Sequence, residues 1–191
     1  MMALSFLLNP FGIKEYTSEQ LYSLYRDSAK PEYLQQLISQ HGDALYYFLL
    51  RQSDPALADD ISQQCWLKLI VKPAGFAGQS SFKTWLFSMA RNCLIDELRR
   101  QQRWQSDDDD AQASCFNTCP LNAVQQQQQQ QQFVLQLNRL PFLQREALML
   151  QLEGFSLMQI AKITGEGEET IKSRLRYARQ QLQHLSGASH D

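Results

Sequence analysis

The sequence predicts an all-α protein built from two small helical domains joined by a flexible linker, the second domain being a helix-turn-helix. Gly and Pro are scarce, at 8 and 6 of 191 residues, while Leu and Gln are abundant, a bias that favours helix over sheet. Apolar residues recur three or four positions apart in two blocks, and an acidic, Gln-rich stretch separates the blocks. We assign a leader of uncertain structure (1–30), a first domain (31–104), a linker (105–132), a second domain (133–185) and a tail (186–191).

The charge and hydropathy of the chain limit the class of protein. The formal net charge of −2 excludes a uniformly basic nucleic-acid coat, but it leaves room for a local basic patch. The apolar start MMALSFLL lacks the positive region of a secretory signal, and no apolar run reaches the ~18 residues of a membrane span. We therefore expect a cytoplasmic protein with reduced thiols and no membrane insertion.

The first domain reads as a series of helices. The stretch PEYLQQLISQHGDALYYFLLRQ, which begins at Pro31, has helical spacing of its apolar residues. Asp54 and Pro55 predict the start of the next helix, because Asp is a good N-cap and Pro suits the first helical position. That helix runs to about Val71 and is followed by the loop KPAGFAGQSS and a long helix over 82–104.

Two faces of this domain look unlike core. On the helix that begins at Pro55, a second stripe lies about a third of a turn from the apolar stripe and holds Asp59, Ser62, Gln63, Trp66 and Ile70. A Trp framed by polar groups is typical of an interface. The alternative is that Trp66 packs into its own domain core. On the long helix, Trp85 and neighbouring cations follow the glycine-containing loop. That arrangement suits unstacked bases of single-stranded DNA, although an ordinary amphipathic helix has the same pattern.

The sequence contains no recognisable set of catalytic residues, either in the linker or among the cysteines and histidines. QSDDDDAQASCFNTCP and the run Gln125–Gln132 are low in complexity. Cys115 and Cys119 could bind zinc, form a redox pair or have no role; two ligands with no nearby His are weak evidence for a metal. Cys65 and Cys93 read as small core residues. The three histidines are scattered and no glycine-rich phosphate loop is present, so we predict no enzyme activity, no metal and no cofactor.

The second domain carries a helix-turn-helix pattern. Helices are expected over 133–140, 142–153, 157–164 and 168–185. Gly154 is a plausible stop, and Ser156 with Gln159 predicts a capping box. Ala161, then Gly165 where the turn needs a positive φ, then the aliphatic Ile171 form the skeleton of the motif.

The last helix, EETIKSRLRYARQQL, has four cations and no acid between Lys172 and Arg179. Its apolar residues Ile171, Leu175 and Ala178 fall on one face, and most of the cations fall away from it. In a helix-turn-helix this helix lies in the DNA major groove, where Lys and Arg contact phosphates and guanine edges. The alternative is a solvated basic face on an ordinary helix.

The two blocks together resemble bacterial RNA polymerase sigma factors. DPALADDISQQCWLKL and FKTWLFSMARNCLIDELRR, followed by LNRLPFLQREALMLQLEGFSLMQIAKITGEGEETIKSRLRYARQQL, carry the resemblance over about 34–104 and 133–185. The small size indicates the extracytoplasmic-function (ECF) group. The pairing and order of the blocks are specific, whereas either block alone is less so.

The resemblance implies three binding surfaces, and with them core RNA polymerase, promoter DNA and an anti-sigma factor as partners. Core polymerase would dock on Asp59, Asp60, Gln63 and Trp66. The melted minus-ten strand would lie on the loop 72–81 and on Lys83, Trp85, Arg91, Asn92, Asp96 and Arg99. The minus-thirty-five duplex would be contacted by Thr170, Lys172, Ser173, Arg174, Arg176 and Arg179.

The turn of the motif departs from the family pattern. Glu166 stands where an aliphatic residue normally fills the core between the two helices, and Gly167 stands where Ser is frequent, which predicts a looser turn and a weaker cap. A stand-alone helix-turn-helix regulator is the alternative function, but it leaves Trp66 and Trp85 without a role.

Overall fold

The computed structural model describes residues 16–73, 75–106 and 133–187. The predictions for the start of the leader, the acidic and Gln-rich parts of the linker, Cys115 and Cys119 lie outside the described residues. The first domain contains α1 (Ser18–Ser28), α2 (Pro31–Leu50), α3 (Pro55–Val71) and α4 (Phe82–Ser106). The second contains α5 (133–138), α6 (Phe142–Leu152), α7 (Leu157–Thr164) and α8 (Glu168–Gly187). The described ranges hold no strand, which confirms the all-α prediction.

Helix α1 was not predicted from the sequence. Thr17 and Gln20 form a capping box at its start, and the carboxylate of Glu19 accepts a hydrogen bond from the Phe82 amide at 2.9 Å. The helix therefore supplies a cap for the start of α4 and packs with the first domain. Its buried side chains are Leu21, Tyr22 and Tyr25.

The starts of the other helices follow the local signals in the sequence. The Asp54 carboxylate accepts a hydrogen bond from the Leu57 amide at 2.9 Å, as expected of an N-cap before a proline. Ser156 and Gln159 form the predicted capping box of α7. Gly165 ends α7 with φ +72°, and its amide donates to the carbonyl of Ala161.

This turn carries a prediction about stability. Gly165→Ala should destabilise the fold by about 1 kcal/mol, because a Cβ is strained in the left-handed region even where no neighbour lies close. Gly167→Ser, two residues away at the cap of α8, should instead stabilise by a few tenths of a kcal/mol, since the hydroxyl can accept from the first turn. The free energy of unfolding in urea measures both variants, and equal effects would contradict the assignment.

The two domains contact each other, mainly through α4 and α7. The rings of Phe87 and Phe155 lie edge to face with centroids 4.9 Å apart. The Lys162 ammonium donates to the carbonyl of Gln79 at 2.7 Å, so the second domain also crosses the loop before α4. A chain read as two domains on a linker thus forms one packed body over its described residues.

Candidate nucleic-acid interface

Helix α8 presents a cationic face opposite its buried stripe. Ile171, Leu175 and Ala178 are at most 2% exposed, which fixes the rotation of the helix against α6 and α7. That rotation leaves the opposite side in solvent. The residues exposed there are Thr170, Lys172, Arg176 and Arg179, with Ser173 partly exposed.

The exposed cations have weak partners on the protein. The Lys172 ammonium lies 2.6 Å from Glu169, and hydrogen bonding to that carboxylate raises the pKa of Lys172. A guanidinium nitrogen of Arg179 donates to the side-chain carbonyl of Gln151 at 2.7 Å. Because these contacts are at the surface, a phosphate can replace them at little cost.

Arg174 differs from the other cations of α8. Only 13% of its side chain is exposed, and one guanidinium nitrogen donates to Glu166 at 2.7 Å. The other terminal nitrogen is buried without a hydrogen-bond partner among the described residues. Glu166, which was expected to loosen the turn, is thus tied to α8 by an ion pair, and Arg174 faces inward rather than towards a groove.

On α4, part of the predicted minus-ten set lies at the surface. Asn92, Asp96 and Arg99 are exposed. Trp85 is half-buried, with its ring centroid 5.5 Å from Phe76 of the preceding loop. The same loop is held by the Tyr22 hydroxyl, which donates to the carbonyl of Pro73 and accepts from the amide of Phe76.

Arg91 and Lys83 are directed at the second domain instead. Arg91 binds the carboxylate of Glu146 through two nitrogens, at 2.8 and 3.3 Å, and the Glu146 side chain is fully buried. Burial raises the pKa of Glu146, although the guanidinium groups of Arg91 and Arg174 oppose that shift. The Lys83 ammonium donates to the carbonyl of Glu153 at 2.7 Å.

The residues predicted to dock on polymerase, all on α3, are partly exposed and partly buried. Asp59, Asp60 and Gln63 are exposed. Trp66 is only 9% exposed and belongs to the hydrophobic core, so of the two alternatives left open for Trp66 the structure has the core position. Beyond Trp66, α3 exposes Ile70, which the sequence placed on the same stripe, and two large apolar side chains to which the sequence assigned no role, Leu67 and Val71.

Comparison with known proteins identifies the two domains. The Sigma-70 region 2 family matches residues 37–104, and the Sigma-70 region 4 family matches residues 130–182. The ECF RNA polymerase sigma factor EcfG of Rhodopseudomonas palustris (strain TIE-1) is 33% identical over 129 residues, which cover 67% of this chain and 70% of that protein.

The chain belongs to the ECF sigma factors.

Other relatives agree. The ECF sigma factor SigM of Bacillus subtilis (strain 168) is 28% identical over 154 residues, covering 80% of this chain and 94% of SigM. Among solved structures, the sigma factor RpoE in complex with the anti-sigma factor NepR from Bartonella quintana matches with a TM-score of 0.67 and 30% identity. The match covers 80% of this chain and 96% of RpoE. CnrH in complex with the cytosolic domain of CnrY shares the fold, with a TM-score of 0.62 at 20% identity.

The family assignment confirms the function predicted from the two blocks. This ECF sigma factor directs promoter-specific transcription initiation, with core RNA polymerase and promoter DNA as its partners. Sigma factors are in general initiation factors and not enzymes. A stand-alone regulator is not favoured, because both regions are present in order. Within the described ranges, no helix is long and apolar enough to cross a membrane, and no three metal-ligating side chains cluster.

Proposed function

We propose that each exposed face has its own target. The outer face of α3 docks on core RNA polymerase, α4 and its preceding loop hold the melted minus-ten strand, and α8 reads the minus-thirty-five element as duplex. The observation that carries this division is the cationic face of α8, which stands in solvent because the opposite stripe of the helix is buried. Such a helix supplies phosphate and base contacts without rearranging its own domain.

The docking face of α3 combines acids with an apolar patch. At roughly 100° per residue, Asp59, Asp60 and Gln63 fall within the same third of the helix as the exposed Leu67, Ile70 and Val71. A face with exposed apolar side chains at one end and hydrogen-bonding groups at the other suits a protein partner. Trp66 packs in the hydrophobic core beneath this face, so we propose that it stabilises the face and does not contact the partner.

The variant Ile70→Asp tests this face, because it places a charge in the apolar patch. Ile70 is 47% exposed, so the substitution leaves the core intact. We expect at least a tenfold loss in affinity for core polymerase, roughly the effect of losing one interface hot spot. Competition with a labelled wild-type chain for purified core measures it. Tyr47→Asp, at an exposed position on α2 (52%), is the matched control and should bind normally. Equal losses in both variants would refute this docking face.

We infer that the domains separate when the promoter is engaged. Lys83 and Arg91 lie in the predicted minus-ten set, yet both are bound to carboxylates or carbonyls of the second domain. Their release would complete the cationic surface of α4 next to the exposed Asn92 and Arg99. An anti-sigma protein is the proposed regulatory partner, supported by the similarity to RpoE in its complex with NepR. We propose a cytoplasmic location for this complex.

In vitro transcription tests the proposal directly. Purified core polymerase is supplied with a panel of promoters, with and without the chain, and new promoter-specific transcripts are expected only with it. Footprinting of the same reactions should show protection of the minus-thirty-five duplex and permanganate reactivity of the minus-ten strand. Binding to duplex DNA without any association with core would overturn the proposal in favour of a stand-alone regulator.

A further inference from the structure

Two cysteines face each other between α3 and α4, outside any role described above. Cys65 is fully buried, Cys93 is half-buried, and both are free thiols that lie close enough for each to shift the pKa of the other. The ammonium of Lys68, one turn beyond Cys65 on α3, donates to the sulfur of Cys93 at 2.9 Å. The sequence pattern had placed both cysteines in the core, but Cys93 stands at its edge with a cation on its sulfur.

Cys93 opens into a cavity. The cavity has a volume of about 330 Å³, and its wall includes Lys68, Trp85, Asn92 and Asp96 together with Cys93. It is open to solvent through the exposed Asn92 and Asp96. A small polar reactant can therefore reach the sulfur of Cys93, whereas Cys65 is fully buried and does not line the cavity.

The surroundings shift the pKa values of the two thiols in opposite directions, which makes Cys93 the nucleophile and leaves the proton on Cys65. The hydrogen bond from Cys65, followed by that from Lys68, lowers the pKa of Cys93 to about 6, while burial and the Asp96 carboxylate oppose the shift. The hydrogen bond to Cys93 and burial raise the pKa of Cys65. At neutral pH Cys93 thus presents a thiolate to the cavity while the buried Cys65 keeps its proton, and the thiolate is the reactive form of cysteine.

We propose that Cys93 is a thiol-oxidation site for hydroperoxides, with Cys65 as the resolving thiol and Lys68 as the residue that holds the thiolate. The Cys93 sulfur attacks the outer peroxide oxygen, the O–O bond breaks, and the leaving alkoxide takes a proton to become an alcohol or water. Cys93 is left as a sulfenic acid. Cys65 then attacks the Cys93 sulfur, and hydroxide leaves with the Cys65 proton as water. The net reaction converts two thiols and one hydroperoxide into one disulfide, one alcohol and one water.

The resulting bridge would join α3 to α4 between the docking face and the minus-ten surface. Trp85, Asn92 and Asp96 line the cavity and also belong to the predicted minus-ten set. Oxidation is therefore placed to alter promoter engagement, a consequence that rests on the proposed function. The thiol chemistry itself does not depend on that function, because it can be tested with the purified protein in the absence of polymerase and DNA.

Peptide mass spectrometry of the intact chain tests the site. Native protein is treated with one equivalent of hydrogen peroxide, blocked with iodoacetamide and digested with trypsin. Cleavage then separates Cys65 (fragment 52–68), Cys93 (92–99) and the linker pair Cys115 and Cys119 (104–139). We expect fragments 52–68 and 92–99 joined by a disulfide. In Cys65→Ala, a dimedone adduct on fragment 92–99 should replace the bridge.

Lys68→Met provides the second measurement, because it removes the cation from a largely exposed residue and leaves both thiols. Alkylation of Cys93 at pH 7 in the native chain should slow by about tenfold, since loss of thiolate is partly offset by higher intrinsic nucleophilicity. Circular dichroism verifies that each variant is folded. Oxidation confined to fragment 104–139, or Cys93 alkylation no faster in the wild type than in Lys68→Met, would overturn the proposal.

Discussion

Replacing Arg176 and Arg179 by Ala is expected to reduce transcription from a minus-thirty-five-dependent promoter by about a hundredfold, at roughly tenfold per lost base or phosphate contact. Both side chains are exposed on α8, Arg176 on the side away from the buried Ile171, Leu175 and Ala178, and Arg179 at the flank of that stripe. Their removal therefore leaves the helix seated in its domain. Because the lost contacts include phosphates, the dependence of duplex affinity on salt concentration should also become less steep.

Fluorescence anisotropy with a duplex carrying the upstream element measures affinity, and core-dependent transcription measures function. Arg26→Ala is the matched control: Arg26 is an exposed cation at the end of α1, and within the described residues it forms an ion pair with its neighbour Asp27. It should leave both quantities unchanged. If the double variant kept full affinity and salt dependence, the major-groove assignment of α8 would be refuted, and its cations would be an ordinary solvated face.

The comparison with Arg174 sharpens this expectation. From the sequence, the resemblance put Arg174 and Arg176 in the same minus-thirty-five set, although Arg174 flanks the apolar stripe of the helix and Arg176 falls away from it. The structure distinguishes them, because Arg174 is largely buried and paired with Glu166. A wheel shows which residues share a face but not which neighbours will surround that face, and the partner here comes from the turn, eight residues away.

The same reason explains which parts of the fold the sequence could and could not predict. Helices α3 and α7 begin at strong local signals, Asp54 with Pro55 and Ser156 with Gln159, and those were predicted correctly. Helix α1 was not predicted, although Thr17 and Gln20 form a capping box at its start, because its apolar residues are few and Tyr22 is buried against residues far along the chain, such as Phe82. Local patterns carry capping and periodicity, whereas tertiary packing decides the marginal elements.

Some candidate site residues could be predicted from local sequence patterns, and others depend on tertiary packing. The exposed face of α8 could be predicted, because a helix with one apolar stripe has little choice about which side it buries. The position of Trp66 could not be decided, since a large ring suits a core or an interface equally well. Nor could Leu67 and Val71 be recognised as surface residues, because apolar side chains are by default counted as core. The contact of Arg91 with Glu146 joins residues 55 positions apart and leaves no periodic trace.

Replacing Glu146 by Ala is expected to open the contact between the domains. Glu146 is fully buried and receives Arg91 through two nitrogens, with Arg174 nearby. Removing one partner of a buried ion pair typically costs about 3–5 kcal/mol, because the remaining charge is left without compensation. Here Arg91 can regain water if the domains part, so the cost should appear as opening rather than unfolding. The radius of gyration from small-angle X-ray scattering should rise, while the helical content stays constant.

A single-stranded minus-ten oligonucleotide should then bind the free Glu146→Ala chain more tightly than the wild type, because Arg91 and Lys83 are no longer occupied by the second domain. Glu97→Ala is the matched control, since it removes a carboxylate of α4 that pairs within that helix with the exposed Arg100, where an ion pair contributes little. The exchange Arg91→Glu with Glu146→Arg should restore the compact form without restoring oligonucleotide binding. If Glu146→Ala stayed compact, the ion pair would not be what holds the domains together, and the remaining contacts, such as Phe87 with Phe155 and Lys162 with the Gln79 carbonyl, would have to suffice. If it opened without gaining affinity, Arg91 would have no part in holding the melted strand.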